Sequence, residues 1–345
     1  MTMTTIDRPK PASSHPAPDA QPRPAATAGL RAALIDRASL IIPCVMLAAL
    51  LALYGALREG VFTIDELNLD TAAAMTLILA ATGQTIVLLR GGIDLSIGGM
   101  ISLGTVLAAT RFGTDPAQVT AWAIGIVALG GLVGALNGML ITVLRLQPFL
   151  VTLATWSILS GAAMLILPTD GGSLPAGWMR FGFASWFGLS SSVWLLILLL
   201  GFWFWFKRTR LGISIRATGS NERSALLSGV SPLRINVATY ALSGLFAALA
   251  ALYLTTQTGA GSPTIGKDYI LPSVAAAVIG GISLFGGRGG LVGTIIGAYI
   301  LTIIGNLVFV LEISSYWQPI VSGIILLVAV LASSIAEKSA RRSLT

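Results

Sequence analysis

Ten stretches of this chain run for 16 to 28 residues without a single charged side chain: 39–57, 71–89, 95–110, 117–144, 148–168, 186–206, 236–256, 270–287, 289–311 and 313–336. A helix needs about 20 such residues to cross a hydrocarbon core ~30 Å thick, because lipid offers its backbone no hydrogen-bond partners and each N–H and C=O must be satisfied within the segment. The runs are apolar all round rather than alternating with a period of two, which argues against a β-barrel. The sequence therefore predicts an all-α polytopic membrane protein with about ten transmembrane helices. Composition agrees: 10% of the 345 residues are charged and 55% are hydrophobic, against about 25% charged in soluble domains.

Residues 1–38 hold six of the 15 prolines and show no apolar periodicity, so they read as a disordered tail. The transmembrane domain is expected over 39–336 and a short second tail over 337–345. Ser39–Leu57 is longer than the apolar core of a secretory leader, which makes it a retained helix. With ten crossings, 17 of the 21 Lys and Arg residues fall on the side of the termini and four, Arg58, Arg111, Arg180 and Lys267, on the other. That split predicts cytoplasmic N and C termini, since basic loops are retained inside. It also accounts for the net charge of +7 without a nucleic-acid partner.

Enzymatic chemistry finds little support. The chain has one cysteine, Cys44, and one histidine, His15, so it offers no disulfide framework, no Cys/His zinc site and no Ser–His or Cys–His pair. Residues 261–268, GSPTIGKD, match the start of a phosphate loop but place Asp268 where the Mg²⁺-binding hydroxyl belongs, and no strand precedes them. No cofactor is expected to bind this chain.

The polar residues that remain carry alternative readings. In Arg90-Gly91-Gly92-Ile93-Asp94-Leu95-Ser96, Asp94 is placed to cap the third span, to bind a solute or ion, or to pair with Arg90. Gly130, Gly134 and Gly138, and likewise Gly289, Gly293 and Gly297, recur at four-residue spacing, which suits close helix packing or a glycine-lined wall of a solute path. Gln84, Asn137, Thr152, Thr155 and Asn306 are uncharged hydrogen-bonding groups within spans, and Trp156 is a candidate for stacking on a sugar ring. Helix–helix hydrogen bonds explain the same polar residues equally well. The loop 207–235 carries six basic residues, and within it Ser224–Ser228 reads as a short helix with Asn221 as N-cap and Gly229 as its stop. It is either a docking element or a solvated connector.

Several strings together resemble the permease subunits of ribose/xylose/arabinose-type bacterial ABC importers: GGIDLSIGG at 91–99, QPFLVTLATWSILSG at 147–161, RATGSNERSALLSGV at 216–230, AAAVIGGISLFGGRGGLVGT at 275–294 and SSYWQPIVSGIILLVAV at 314–330. The resemblance implies a multi-pass protein of the bacterial cytoplasmic (inner) membrane, paired with a second permease chain as a homodimer or paralogous heterodimer. It also implies a cytoplasmic ABC ATPase that binds the ATP and Mg²⁺, and a periplasmic binding protein that delivers a monosaccharide such as a pentose. In this light Gly219, Asn221, Glu222, Arg223, Ser224, Ala225 and Gly229 resemble the ATPase-docking stretch, with Arg223-Ser224-Ala225 where the family commonly has Glu-Ala-Ala. A cation-coupled secondary transporter is the competing expectation, and it would depend on Asp94.

Overall fold

The computed structural model describes residues 26–312 and scattered positions from 314 to 327, with side chains from Leu40 onward. The expected tails, apart from the backbone of 26–38, and most of the tenth uncharged stretch, 313–336, lie outside the described residues. In chain order the elements are α1 (Ala26–Leu57), α2 (Ile64–Arg90), α3 (Ser96–Arg111), α4 (Pro116–Val143), α5 (Pro148–Ile166) and α6 (Ala176–Phe183). A two-stranded hairpin follows, β1 (Ser185–Trp186) and β2 (Leu189–Ser190). Then come α7 (Ser191–Phe206), α8 (Arg210–Ser220), α9 (Glu222–Leu227), α10 (Pro232–Thr258), α11 (Lys267–Ile279) and α12 (Leu291–Val310).

The local sequence accounts for the helix boundaries. Thr63 caps α2 by accepting from the Glu66 N–H at 3.2 Å, and Gly91 closes it in a left-handed conformation. Asp115 caps α4 by accepting from the Ala117 N–H, with Pro116 in the first turn, and α10 likewise starts on Pro232 and ends on Gly259. The second helix starts seven residues before the uncharged stretch at 71, because Asp65, Glu66 and Asp70 belong to its first two turns. Acidic groups there meet the positive end of the helix dipole, and Glu66 accepts from Tyr54 on α1 and pairs with Arg58. A search for uncharged runs could only truncate this helix.

Six described helices are long and apolar enough to cross a membrane: Leu40–Leu57 of α1, α2, α4, α5, α10 and α12. The bent pair of α7 and α8 makes a seventh candidate, and the uncharged stretches 95–110 and 270–287 hold helices too short to count by length alone, so the polytopic all-α expectation stands. At 16 and 13 residues, α3 and α11 reach about 24 and 20 Å. They are cut short by breaks at 91–95 and 280–290, where glycines end the helical run and the backbone turns into loop. The stretch at 186–206 becomes a hairpin strand and then α7, which meets α8 at a bend of 73°.

In their most apolar windows, 83% of α2 and 67% of α10 are buried, against 11% for α1 and 22% for α5. Thus α2 and α10 form the centre of the bundle, with α3, α4, α11 and α12 packed on them, while α1 and α5 turn apolar side chains outward. The single cysteine, Cys44 on α1, is exposed. The α4–α10 seam is the most extensive. A Cβ at Gly130, Gly134 or Gly138 would collide with the carbonyls of Gly244, Tyr240 and Asn236 respectively, so along this triad α4 and α10 approach backbone to backbone. The second triad needs a correction. Gly293 and Gly297 lie against Gly280 and Ala276, but Gly289 precedes α12 in the loop, at a φ of +103° beside Ile282.

The connections gather into two ends. At one, Asn68 holds the hairpin through the Gly188 carbonyl and the Ser190 N–H, and Gly171 pairs with Gly261 across two loops. At the other, the breaks at 91–95 and 280–290, the α4–α5 turn at Arg145 and the α8–α9 elbow come together.

Candidate functional site: a buried polar network and the end below it

Asp94 follows Gly91 and Gly92 in the α2–α3 break and is 1% exposed. Its Oδ1 accepts from the Ser96 N–H at 2.9 Å and from the Ser96 hydroxyl, and its Oδ2 accepts from the Ser243 hydroxyl on α10 at 2.7 Å. It therefore engages Ser96, the first residue of α3, from one position before the N-cap, which is Leu95, and also ties the first turn of that helix to α10. Pairing with Arg90 is not realised: Arg90 turns the other way and donates to Glu222 at 3.0 Å. Neither the Arg58–Glu66 nor the Arg90–Glu222 ion pair involves Asp94.

The network continues outward from Ser96. The Asn137 amide on α4 donates to the Ser96 hydroxyl at 3.0 Å, and the Thr155 hydroxyl on α5 donates to the Asn137 carbonyl oxygen at 2.6 Å. Thr152, fully buried one turn earlier, bonds back to the Pro148 carbonyl at 3.0 Å. Four of the predicted path residues, Asp94, Asn137, Thr152 and Thr155, thus converge where α3, α4, α5 and α10 meet. Burying this many polar groups together is tolerated because each has a partner.

The other three lie apart from this chain of bonds. Asn306 on α12 donates to Asp70 on α2 at 2.7 Å, near the Tyr54–Glu66–Arg58 group. Gln84 is fully buried in α2, and neither atom of its amide has a partner among the described residues. Trp156 presents its backbone to Gly99 on α3, and its side chain is half-buried. Sequence reasoning missed Ser96 and Ser243 as network members. Ser96 stood in the quoted motif, whereas Ser243 was one hydroxyl within an apolar run and had no local signature.

A cavity of about 660 Å³ opens below the network, lined by Arg90, Arg145, Glu222, Asn236 and Tyr240 among others. Asn236 donates to Thr142 across the α4–α10 seam at 2.9 Å, and the buried Tyr240 hydroxyl lacks a partner among the described residues. The short helix α9 flanks this cavity. Asn221 caps it by accepting from the Ser224 N–H at 3.0 Å. Its end is a reversed turn in which Val230 donates to the Ala225 carbonyl at 3.1 Å and Gly229, at φ +81°, donates to Leu226 at 2.9 Å. Glu222, Arg223, Ser224 and Leu226 are exposed, as is Leu227 at 85%, while Ala225 is buried at 5%. The outward apolar surface of α9 is therefore Leu226–Leu227 and not Ala225.

Long apolar helices around a buried polar network make this a polytopic membrane protein. The chain belongs to the family described as branched-chain amino acid transport system / permease component, which matches residues 71–330. It is 36% identical to the ribose import permease protein RbsC of Escherichia coli K12 over 313 residues, covering 88% of this chain and 95% of that protein. The RbsC of Bacillus subtilis 168 is 38% identical over 261 residues, covering 73% and 80% of the two chains. The D-allose transport system permease protein AlsC of E. coli K12 is 32% identical over 302 residues, covering 85% and 91%. No solved structure matches the chain.

Proposed function

We propose that this chain is the inner-membrane subunit of an ABC importer for a neutral monosaccharide, working with a separate cytoplasmic ATPase, a periplasmic binding protein and a second permease chain. The observation that carries the reading is the near full-length relation to a ribose import permease. The site's chemistry supports it against the amino-acid substrates in the family's description. A zwitterion calls for two opposite charges to be met, whereas the network offers hydroxyls, an amide and one carboxylate already engaged by serines. The α9 end faces the cytoplasm on this reading, because it gathers Arg90, Arg145, Arg288 and the six basic residues of 207–235. The ATPase docks on Leu226 and Leu227. The test is uptake into vesicles containing the permease with a cognate ABC ATPase and sugar-binding protein. Monosaccharide uptake that needs ATP and the binding protein is expected; uptake of leucine in place of sugar would overturn the substrate class.

Asp94 favours one second reading, a carrier coupled to H⁺ or Na⁺, since a buried carboxylate without a basic partner is what such coupling uses. Sugar uptake that collapses with an ionophore while ATP is present would select it.

A further inference from the structure

We infer that the α9 docking element drives the helix breaks through a glycine-lined joint in which Gly219 and Arg90 are positioning residues; the inference rests on the reading of α9 as the ATPase contact. Three segments far apart in sequence meet there: the end of α2 at Leu89–Gly91, the end of α8 at Gly219–Ser220, and Phe285–Gly287 in the loop between α11 and α12. The Gly287 N–H donates to the Leu89 carbonyl at 2.9 Å, so the loop satisfies a carbonyl at the C-terminal end of α2. A Cβ at Gly219 would strike that same carbonyl and come within 2.9 Å of the Gly287 nitrogen. A Cβ at Gly286 would lie 2.8 Å from the Gly219 carbonyl. At Gly219 the three backbones touch directly, with the Ser220 side chain packed beside Gly287, and close-packed backbone passes displacement on rather than absorbing it.

The joint connects what function has to connect. Arg90, the last residue of α2, grips Glu222, the first residue of α9, at 3.0 Å. With Arg90 14% exposed and Glu222 52% exposed, the pair supplies orientation more than energy, and the backbone contact at Gly219 bears the load. Four residues beyond Arg90, Asp94 starts the buried network that ties α3 to α10. The same joint reaches α11 and α12 through Gly286 and Gly287. Movement of α9 therefore reaches both breaks together, and the polar network with them.

The test uses the complete transporter in vesicles and reads ATP hydrolysed per sugar taken up. Gly219→Ala is expected to raise that ratio roughly threefold or more while the ATPase still co-purifies. Gly125→Ala, whose Cβ enters open space, is expected to leave it unchanged. An unchanged ratio in Gly219→Ala overturns the inference. If Gly219→Ala does not reach the membrane, the charge swap decides: Arg90→Glu and Glu222→Arg each impair transport, and the combined variant recovers at least half of the loss. No recovery in the combined variant overturns the linkage. Failure of the docking reading shows separately, as undiminished ATPase co-purification in Leu227→Asp.

Discussion

Asp94 is the point where one side chain joins two helices, and its substitutions separate its roles. Leucine there would leave the Ser96 N–H, the Ser96 hydroxyl and the Ser243 hydroxyl without their acceptor. Each orphaned buried donor costs ~1–3 kcal/mol, so Asp94→Leu should unfold in detergent well before the unmodified chain. Asp94→Asn keeps one acceptor oxygen and should lose less. Unfolding midpoints of the two purified variants check this, and equal midpoints would mean that the network contributes nothing to holding α3 against α10. At Gly134 the cause is shape. Valine there must displace the Tyr240 carbonyl and open the α4–α10 seam, whereas the same change at Gly125 meets nothing within 4 Å. Overpacking of this kind costs ~1–3 kcal/mol or more, and folded yield should fall for Gly134→Val alone.

At the scale of elements, α9 was legible and its working face was not. Asn221, the run Ser224–Ser228 and Gly229 mark a capped short helix in sequence, and the structure has it at Glu222–Leu227. Which of its residues point outward depends on the neighbouring α8 and on the reversed turn, and no local pattern in six residues encodes that. Ala225 sits in the middle of the docking-like stretch, yet it is buried against its own protein. The expected outcome is accordingly specific: Leu227→Asp blocks ATPase co-purification with normal yield of the permease, while Ala225→Asp lowers the yield itself. Gly229→Val imposes a β-branched residue at φ +81°, a strain of ~1–3 kcal/mol, and should weaken docking less than Leu227→Asp. The breaks were legible in part, since Gly91–Gly92 and GGRGG announce themselves. Of the two short helices, α3 was legible because its uncharged stretch, 95–110, is itself only 16 residues long, whereas the stretch 270–287 continues past the end of α11 at Ile279 and conceals where that helix stops. Likewise Ser243 joined the network only through folding, 149 residues from its partner Asp94.

For the whole molecule, the basic residues give the orientation, and the fold sorts the connections into two ends in agreement with their alternation. Reporter fusions after residues 65 and 175 should score as external, and those after 220 and 345 as cytoplasmic; an exported reporter at 220 would invert the assignment. The two ends also differ in how they are fastened. The hairpin end is laced across the sequence by Asn68 to Gly188 and Ser190 and by the pairing of Gly171 with Gly261. The α9 end surrounds a cavity of about 660 Å³ and has exposed leucines on a six-residue helix. Local opening costs least where few contacts resist it. Deuterium should therefore enter the backbone amides of 222–230 well before those of Gly171, Ser190 and Gly261, and before that of Gly287, which the Leu89 carbonyl holds, so that the α9 end exchanges at its exposed helix while the joint beneath it stays closed.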